Sequence, residues 1–178
     1  MSTPCRFVHK VGTKATAFLK CAQKHSRHVP ATEADWENGF AAYRASHPAT
    51  VCPECGSTEN LSGMSRLPVY DTEDGDPHPG DMYWVPCDLR QDGGTDCRYW
   101  DNCDGQHLHV VLPNGYHWDV DSRGSNCTMK EDRLHRCWVR TGEPPHVTVG
   151  KNGNTCNAGA GSILAGDYHG FLRDGQLT

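Results

Sequence analysis

Long apolar runs are missing from this chain. Nothing in it approaches the roughly 20 consecutive apolar residues that a membrane-spanning helix requires, so no membrane partner is expected. The first twenty residues, MSTPCRFVHKVGTKATAFLK, contain no apolar segment followed by a small-residue cleavage site, so no secretory signal is read there and a cytoplasmic location is expected. Helix signals are scarce and no internal repeat stands out. Hydrophobic residues make up 36% of 178 and mean hydropathy is −0.69, which permits a core without making it generous. With 19 glycines and 11 prolines, the composition suits a turn-rich, mostly β architecture better than a helical bundle. Acidic residues are absent from Met1 to Thr32, where six Lys and Arg occur, whereas Asp71 to Asp104 holds ten Asp and Glu against two Arg. A basic head on an acidic body can touch nucleic acid at one end only. A solvated basic face is the preferred reading of that head.

What the chain does have is ten cysteines and eleven histidines. In a reducing compartment thiols serve more often as metal ligands than as disulfides, and a metal supplements a modest core. Zinc is therefore the expected cofactor, with a disulfide framework as the alternative.

Residues 14–20, KATAFLK, read as a strand, followed by Cys21-x3-His25-x2-His28. The segment ATEADWENGFAAYRASHP is the one good helix. Thr32 is placed to N-cap it with Asp35 in the capping-box position, and Trp36, Phe40 and Tyr43 fall on one face. His47-Pro48 ends it. Next comes VCPECGS, in which Cys52-x2-Cys55 forms a knuckle and Gly56 allows the turn. Tetrahedral zinc wants four ligands. Cys52 and Cys55 supply two, and Cys21 with His25 or His28 supplies the rest, with His25 taken as the ligand.

RLPVYDTEDGDPHPGD (66–81) reads as an acidic linker or loop. Beyond it lie candidate strands: MYWVPC, the hairpin HLHVVLPNGYHWDV around Asn114-Gly115, RCWVR, PHVTVG with an Asn-Gly turn in KNGNT, and YHGFL with an Asp-Gly turn behind it. The expected class is mainly β, a small antiparallel sheet or barrel-like body with an N-terminal α/β zinc-finger-like appendage. The corresponding divisions are 1–65, 66–81 and 82–178. His107 and His109 share one strand face, as a metal site, a polar site or a solvated face would have it. Among the body's cysteines, Cys103, Cys127, Cys137 and Cys156 are the expected second metal set; buried free thiols or disulfides are the alternatives.

The stretch TCNAGAGSILAGDYHGFLRDG carries Ser162 on a glycine-rich turn and His169 seven residues later. A serine becomes nucleophilic when a base takes its proton and a third group orients that base. Asp174 and Asp167 are candidate orienters from this stretch, Asp119 and Asp121 from the hairpin. Cys156 beside His169 is an alternative nucleophile. An ordinary buried turn and strand residue would show the same letters.

The run CDGQHLHVVLPNGYHWDVDSRGSNCTMKEDRLHRCWVRTGEPPHVTVGKNGNTCNAGAGSI, with YHGFLRDG after it, resembles the BubE-like family of bacteria and phages, whose bacterial members sit in operons for ubiquitin-like conjugation. The resemblance covers about Cys103 to Gly175. It implies a small β domain that binds metal and a serine peptidase acting on a ubiquitin-like protein, with Ser162 and His169 matching the family serine and histidine. Two departures are Gly161, where the family often has proline, and Tyr168, where it often has cysteine. A phage origin would place the chain in the host cytoplasm or in a virion. A non-catalytic zinc-stapled binding module and a phage structural or accessory protein remain the alternatives.

Overall fold

The computed structural model describes residues 2–86, 105–124, 126–151, 156–158 and 162–178. Among these the chain is mainly β with one helix. It opens with the short strands β1 (Thr3–Pro4) and β2 (Arg6–Phe7), then the long β3 (Lys10–Cys21), β4 (Ser26–Pro30), helix α1 (Glu33–Ser46), β5 (Thr50–Val51) and β6 (Thr58–Tyr70). The rest comprises β7 (Asp81–Pro86), β8 (Gln106–Val111), β9 (His117–Asp119), β10 (Trp138–Thr141), β11 (Thr148–Lys151), β12 (Ile163–Ala165), β13 (Tyr168–Gly170), β14 (Leu172–Arg173) and β15 (Gln176–Leu177).

Two compact units result, Val11–Tyr70 and Met1–Lys10 with Asp71–Thr178. These boundaries differ from the division at 1–65, 66–81 and 82–178. The first residues add strands to the larger unit, since β1 pairs antiparallel with β15 and β2 parallel with β7. Residues 66–70 belong to β6, and the acidic loop after it is tied down by Thr72 and Asp74, which bond Asp76 and His78.

In the smaller unit the strand order is β4-β3-β6-β5, and α1 packs on the sheet. Its core gathers Ala17, Leu19, Tyr43 and Leu61 with Val29, Phe40 and Met64. The helix starts as its sequence dictates: the Thr32 side chain accepts from the Asp35 amide, and the Asp35 carboxylate accepts from the Thr32 amide. Tyr43 and Phe40 reach the core, while Trp36 lies under the Arg66 guanidinium, 5.3 Å from its ring centre. The aromatic stripe does not reveal that Gly39, at φ +84°, kinks the helix midway.

In the larger unit β2-β7-β8-β9 form the main sheet. Alternation puts Met82, Leu108, Val110 and Trp118 into a core completed by Val147, Val149, Ile163, Leu172 and Leu177 from the later strands. The β8–β9 hairpin turns through Leu112-Pro113-Asn114-Gly115, where the Gly115 amide bonds the Leu112 carbonyl and Gly115 alone takes positive φ. It is a type I turn with a glycine bulge, in place of the two-residue Asn-Gly turn expected, because Pro113 presets the first turn position. Asp174-Gly175 does form a two-residue turn between β14 and β15, both residues at positive φ. The KNGNT turn lies outside the described residues.

Candidate metal centres and a serine–histidine pair

Two sets of four side chains could each hold a metal ion. In the first, β3 delivers Cys21 and the turn into β4 delivers His25; Lys24 takes φ +66° there, and the Cys21 amide bonds the His25 carbonyl. Facing them, the Cys52–Gly56 turn closes through a Gly56 amide bond to the Cys52 carbonyl, with Gly56 at φ +71°. Cys21, His25, Cys52 and Cys55 place one ligand atom each within 4.8 Å of all the others. Cys21 Sγ stands 3.7 Å from Cys55 Sγ, and Cys52 Sγ stands 3.6 Å from His25 Nδ1. The far nitrogen, His25 Nε2, faces the Glu54 carboxylate at 3.7 Å, a contact of the kind that orients a ligating imidazole. His28 does not join the set; it packs against Phe18 at 4.4 Å between ring centres. Around these thiols, burial pushes Cys52 up, while the Ser57 hydroxyl, 3.0 Å from Cys55 Sγ, holds Cys55 low.

The second set is Cys127, His135, Cys137 and Cys156, all four buried. Cys137 Sγ lies 3.8 Å from both His135 Nε2 and Cys156 Sγ. Backbone amides of Gly124 and Met129 donate to Cys137 Sγ and Cys127 Sγ at 3.3 and 3.4 Å. Burial pushes the Cys137 thiol up to about 12. Gly124 is confined: a Cβ there would meet the Ala158 Cβ at 2.7 Å. Three of the four cysteines expected for this set are therefore brought together, and Cys103 lies outside the described residues. The fourth member, His135, was missed by the sequence reading. Its signal was the His135-x-Cys137 spacing in HRCW, which lies in the turn-rich segment just before β10.

Ser162 and His169 meet. Ser162 directly precedes β12, and His169 in β13 pairs with Leu164, so serine and histidine are diagonal neighbours on one face of the hairpin. Ser162 Oγ and His169 Nε2 are 3.2 Å apart. The glycine-rich run just before Ser162 lies outside the described residues. Asp174, expected as orienter, is not brought to His169: as a turn residue at φ +43°, it faces its carboxylate to His146 Nδ1 at 3.4 Å. Asp167 accepts from Asn114 at 2.8 Å, Asp121 pairs with Arg140 at 2.9 Å, and Asp119 lies 3.1 Å from His107. No carboxylate contacts His169 among the described residues. Cys156, the alternative nucleophile, lies in the second Cys/His set with its Sγ 3.8 Å from Cys137 Sγ. No described helix is long and apolar enough to cross a membrane.

No family model, curated protein or solved structure matches this chain.

Proposed function

We propose that this chain is a zinc protein whose two units are each stapled by a Cys3His centre. The observation that carries the reading is the spacing within the two sets. A tetrahedral zinc with Zn–S of about 2.3 Å and Zn–N of about 2.05 Å requires S···S edges of about 3.8 Å and S···N edges of about 3.6 Å. The separations of 3.6 to 3.8 Å lie at those edges. They are far from the roughly 2.05 Å of a disulfide. Three thiolates and an imidazole favour zinc over harder ions, and four protein ligands leave no position for substrate. The metal's role on this reading is to hold the fold. In the smaller unit it joins the β3–β4 turn to the Cys52–Cys55 knuckle, a zinc-finger-like module. The test is zinc content of the purified chain by elemental analysis: His135→Ala loses one equivalent, whereas His28→Ala loses none. Retention of all zinc by His135→Ala would overturn the second centre.

A second reading is favoured by the Ser162–His169 hydrogen bond. On it the chain is a serine hydrolase, and the BubE-like resemblance names a ubiquitin-like protein as substrate. His169 Nε2 is placed to take the Ser162 proton; His169 is exposed and Ser162 half-buried. With no carboxylate on His169 among the described residues, the pair works as a dyad. A fluorophosphonate probe tests this. Labelling of the zinc-loaded protein that disappears in Ser162→Ala supports the reading, and no labelling of folded wild type contradicts it.

A further inference from the structure

Sulfur spacing is nearly the same in the two Cys3His sets, but access to solvent is not. Cys21 Sγ stands 3.7 Å from Cys55 Sγ in the first, and Cys137 Sγ stands 3.8 Å from Cys156 Sγ in the second. All four members of the second set are buried. In the first, Cys21 and Cys52 are 6% and 2% exposed, whereas Cys55 is open to solvent. It is the one exposed cysteine among the described residues. A thiol meets a dissolved oxidant only where the reagent reaches its sulfur, so buried structural cysteines are inert and exposed ones react first.

The difference follows from how the chain delivers each sulfur. Cys21 ends β3 in the alternation that sends Ala17 and Leu19 into the core of the smaller unit. Cys52 is held at both ends, its amide donating to the Ser57 carbonyl and its carbonyl accepting from the Gly56 amide. Cys55 sits at the tip of the knuckle between exposed Glu54 and exposed Gly56, with the Ser57 hydroxyl 3.0 Å from its sulfur. Closing the gap to Cys21 from 3.7 Å to the disulfide length of about 2.05 Å falls to this surface turn, where a Cβ on Gly56 would meet nothing within 4 Å.

We propose that Cys55 is an oxidation site with Cys21 as its resolving thiol, so that hydrogen peroxide converts the first set to a Cys21–Cys55 disulfide and leaves the second set reduced. The proposal rests on the Cys3His reading of the first centre. The Cys55 thiolate attacks one peroxide oxygen, the O–O bond breaks, and a sulfenic acid and hydroxide result. The Cys21 thiolate then attacks the Cys55 sulfur, forming the S–S bond and expelling a second hydroxide. The two sulfurs lose two electrons, the peroxide gains them, and two solvent protons convert both hydroxides to water. His25 and Cys52 alone fall short of the four ligands of a closed zinc site. Oxidation therefore releases the ion, and a thiol reductant restores the site.

The test treats the zinc-loaded full chain with hydrogen peroxide, follows released zinc with a chromophoric chelator, and maps disulfides by peptide mass spectrometry. The expected result is one zinc released roughly tenfold or more faster than the other, in step with a Cys21–Cys55 disulfide, while Cys127, Cys137 and Cys156 stay reduced. In zinc-loaded Cys55→His, which keeps a ligand at that position, the fast phase should vanish. Release of both ions at one rate, a first disulfide that joins any other pair, or an unchanged fast phase in Cys55→His would overturn the proposal. Zinc content before treatment reads the Cys3His reading separately. A chain that carries no zinc would count against that reading alone, since the disulfide map still reports whether peroxide joins Cys55 to Cys21 first.

Discussion

Thr32 and Asp35 set the start of the only described helix through a reciprocal pair of hydrogen bonds. Removing the cap by Thr32→Ala should lower the stability of the smaller unit by about 1 kcal/mol, read as a shift in urea midpoint at fixed zinc. The same pair makes a pH prediction. Hydrogen bonds from the Thr32 side chain and amide hold the Asp35 carboxyl below the ordinary carboxylate range. A carboxyl depressed in the folded state stabilises above its unfolded value, about 3.9, and that contribution disappears as pH falls through the folded value. The midpoint difference between wild type and Asp35→Asn should therefore be full at pH 6 and shrink below pH 4. An unchanged difference at pH 3 would contradict this origin. Thr32 and Asp35 were legible because a cap is local. His135 was not, because its partners Cys127 and Cys156 lie 8 and 21 positions away and nothing in the letters announces that they converge. For Ser162 and His169, the letters suggest a pairing but do not specify the strand register that joins them, and Asp174 was misjudged for a local reason. The Asp-Gly dipeptide that marked it as a turn also fixes its direction.

Among the elements, the knuckle and the hairpins decide where the ligands stand. Gly56 adopts φ +71° with open space around the position a Cβ would take. Gly56→Ala therefore costs only the left-handed backbone conformation, about 1–2 kcal/mol. This should weaken zinc binding at the first centre roughly five- to thirty-fold in competition with a chromophoric chelator. Gly124→Ala acts by a different route, since the new methyl meets Ala158 beside the second centre. It should release zinc there even though its φ is ordinary, and equal affinity in wild type and variant would refute the packing argument. The strands around these turns were largely readable from alternation, as in MYWVP, HLHVV and PHVTVG, because each has one face in a core. The kink at Gly39 and the type I turn at Pro113 were not, because both override the commoner outcome of their neighbours' propensities.

On the scale of the whole molecule, each compact unit holds, among the described residues, a Cys3His set as well as apolar core residues. The chain's first ten residues were assigned from sequence to the N-terminal module, yet β1 and β2 complete sheets of the larger unit. Pairings with β7 and β15, more than 70 positions away, leave no local trace. In a protein with a modest core, two zinc ions would stand in for missing apolar burial, and each unit should depend on its own ion. The most direct test is native mass spectrometry of the zinc-loaded chain, comparing wild type with Cys52→Ala, Cys137→Ala and the double variant. The account predicts one zinc fewer in each single variant and two fewer in the double. An unchanged zinc count in either single variant would contradict it.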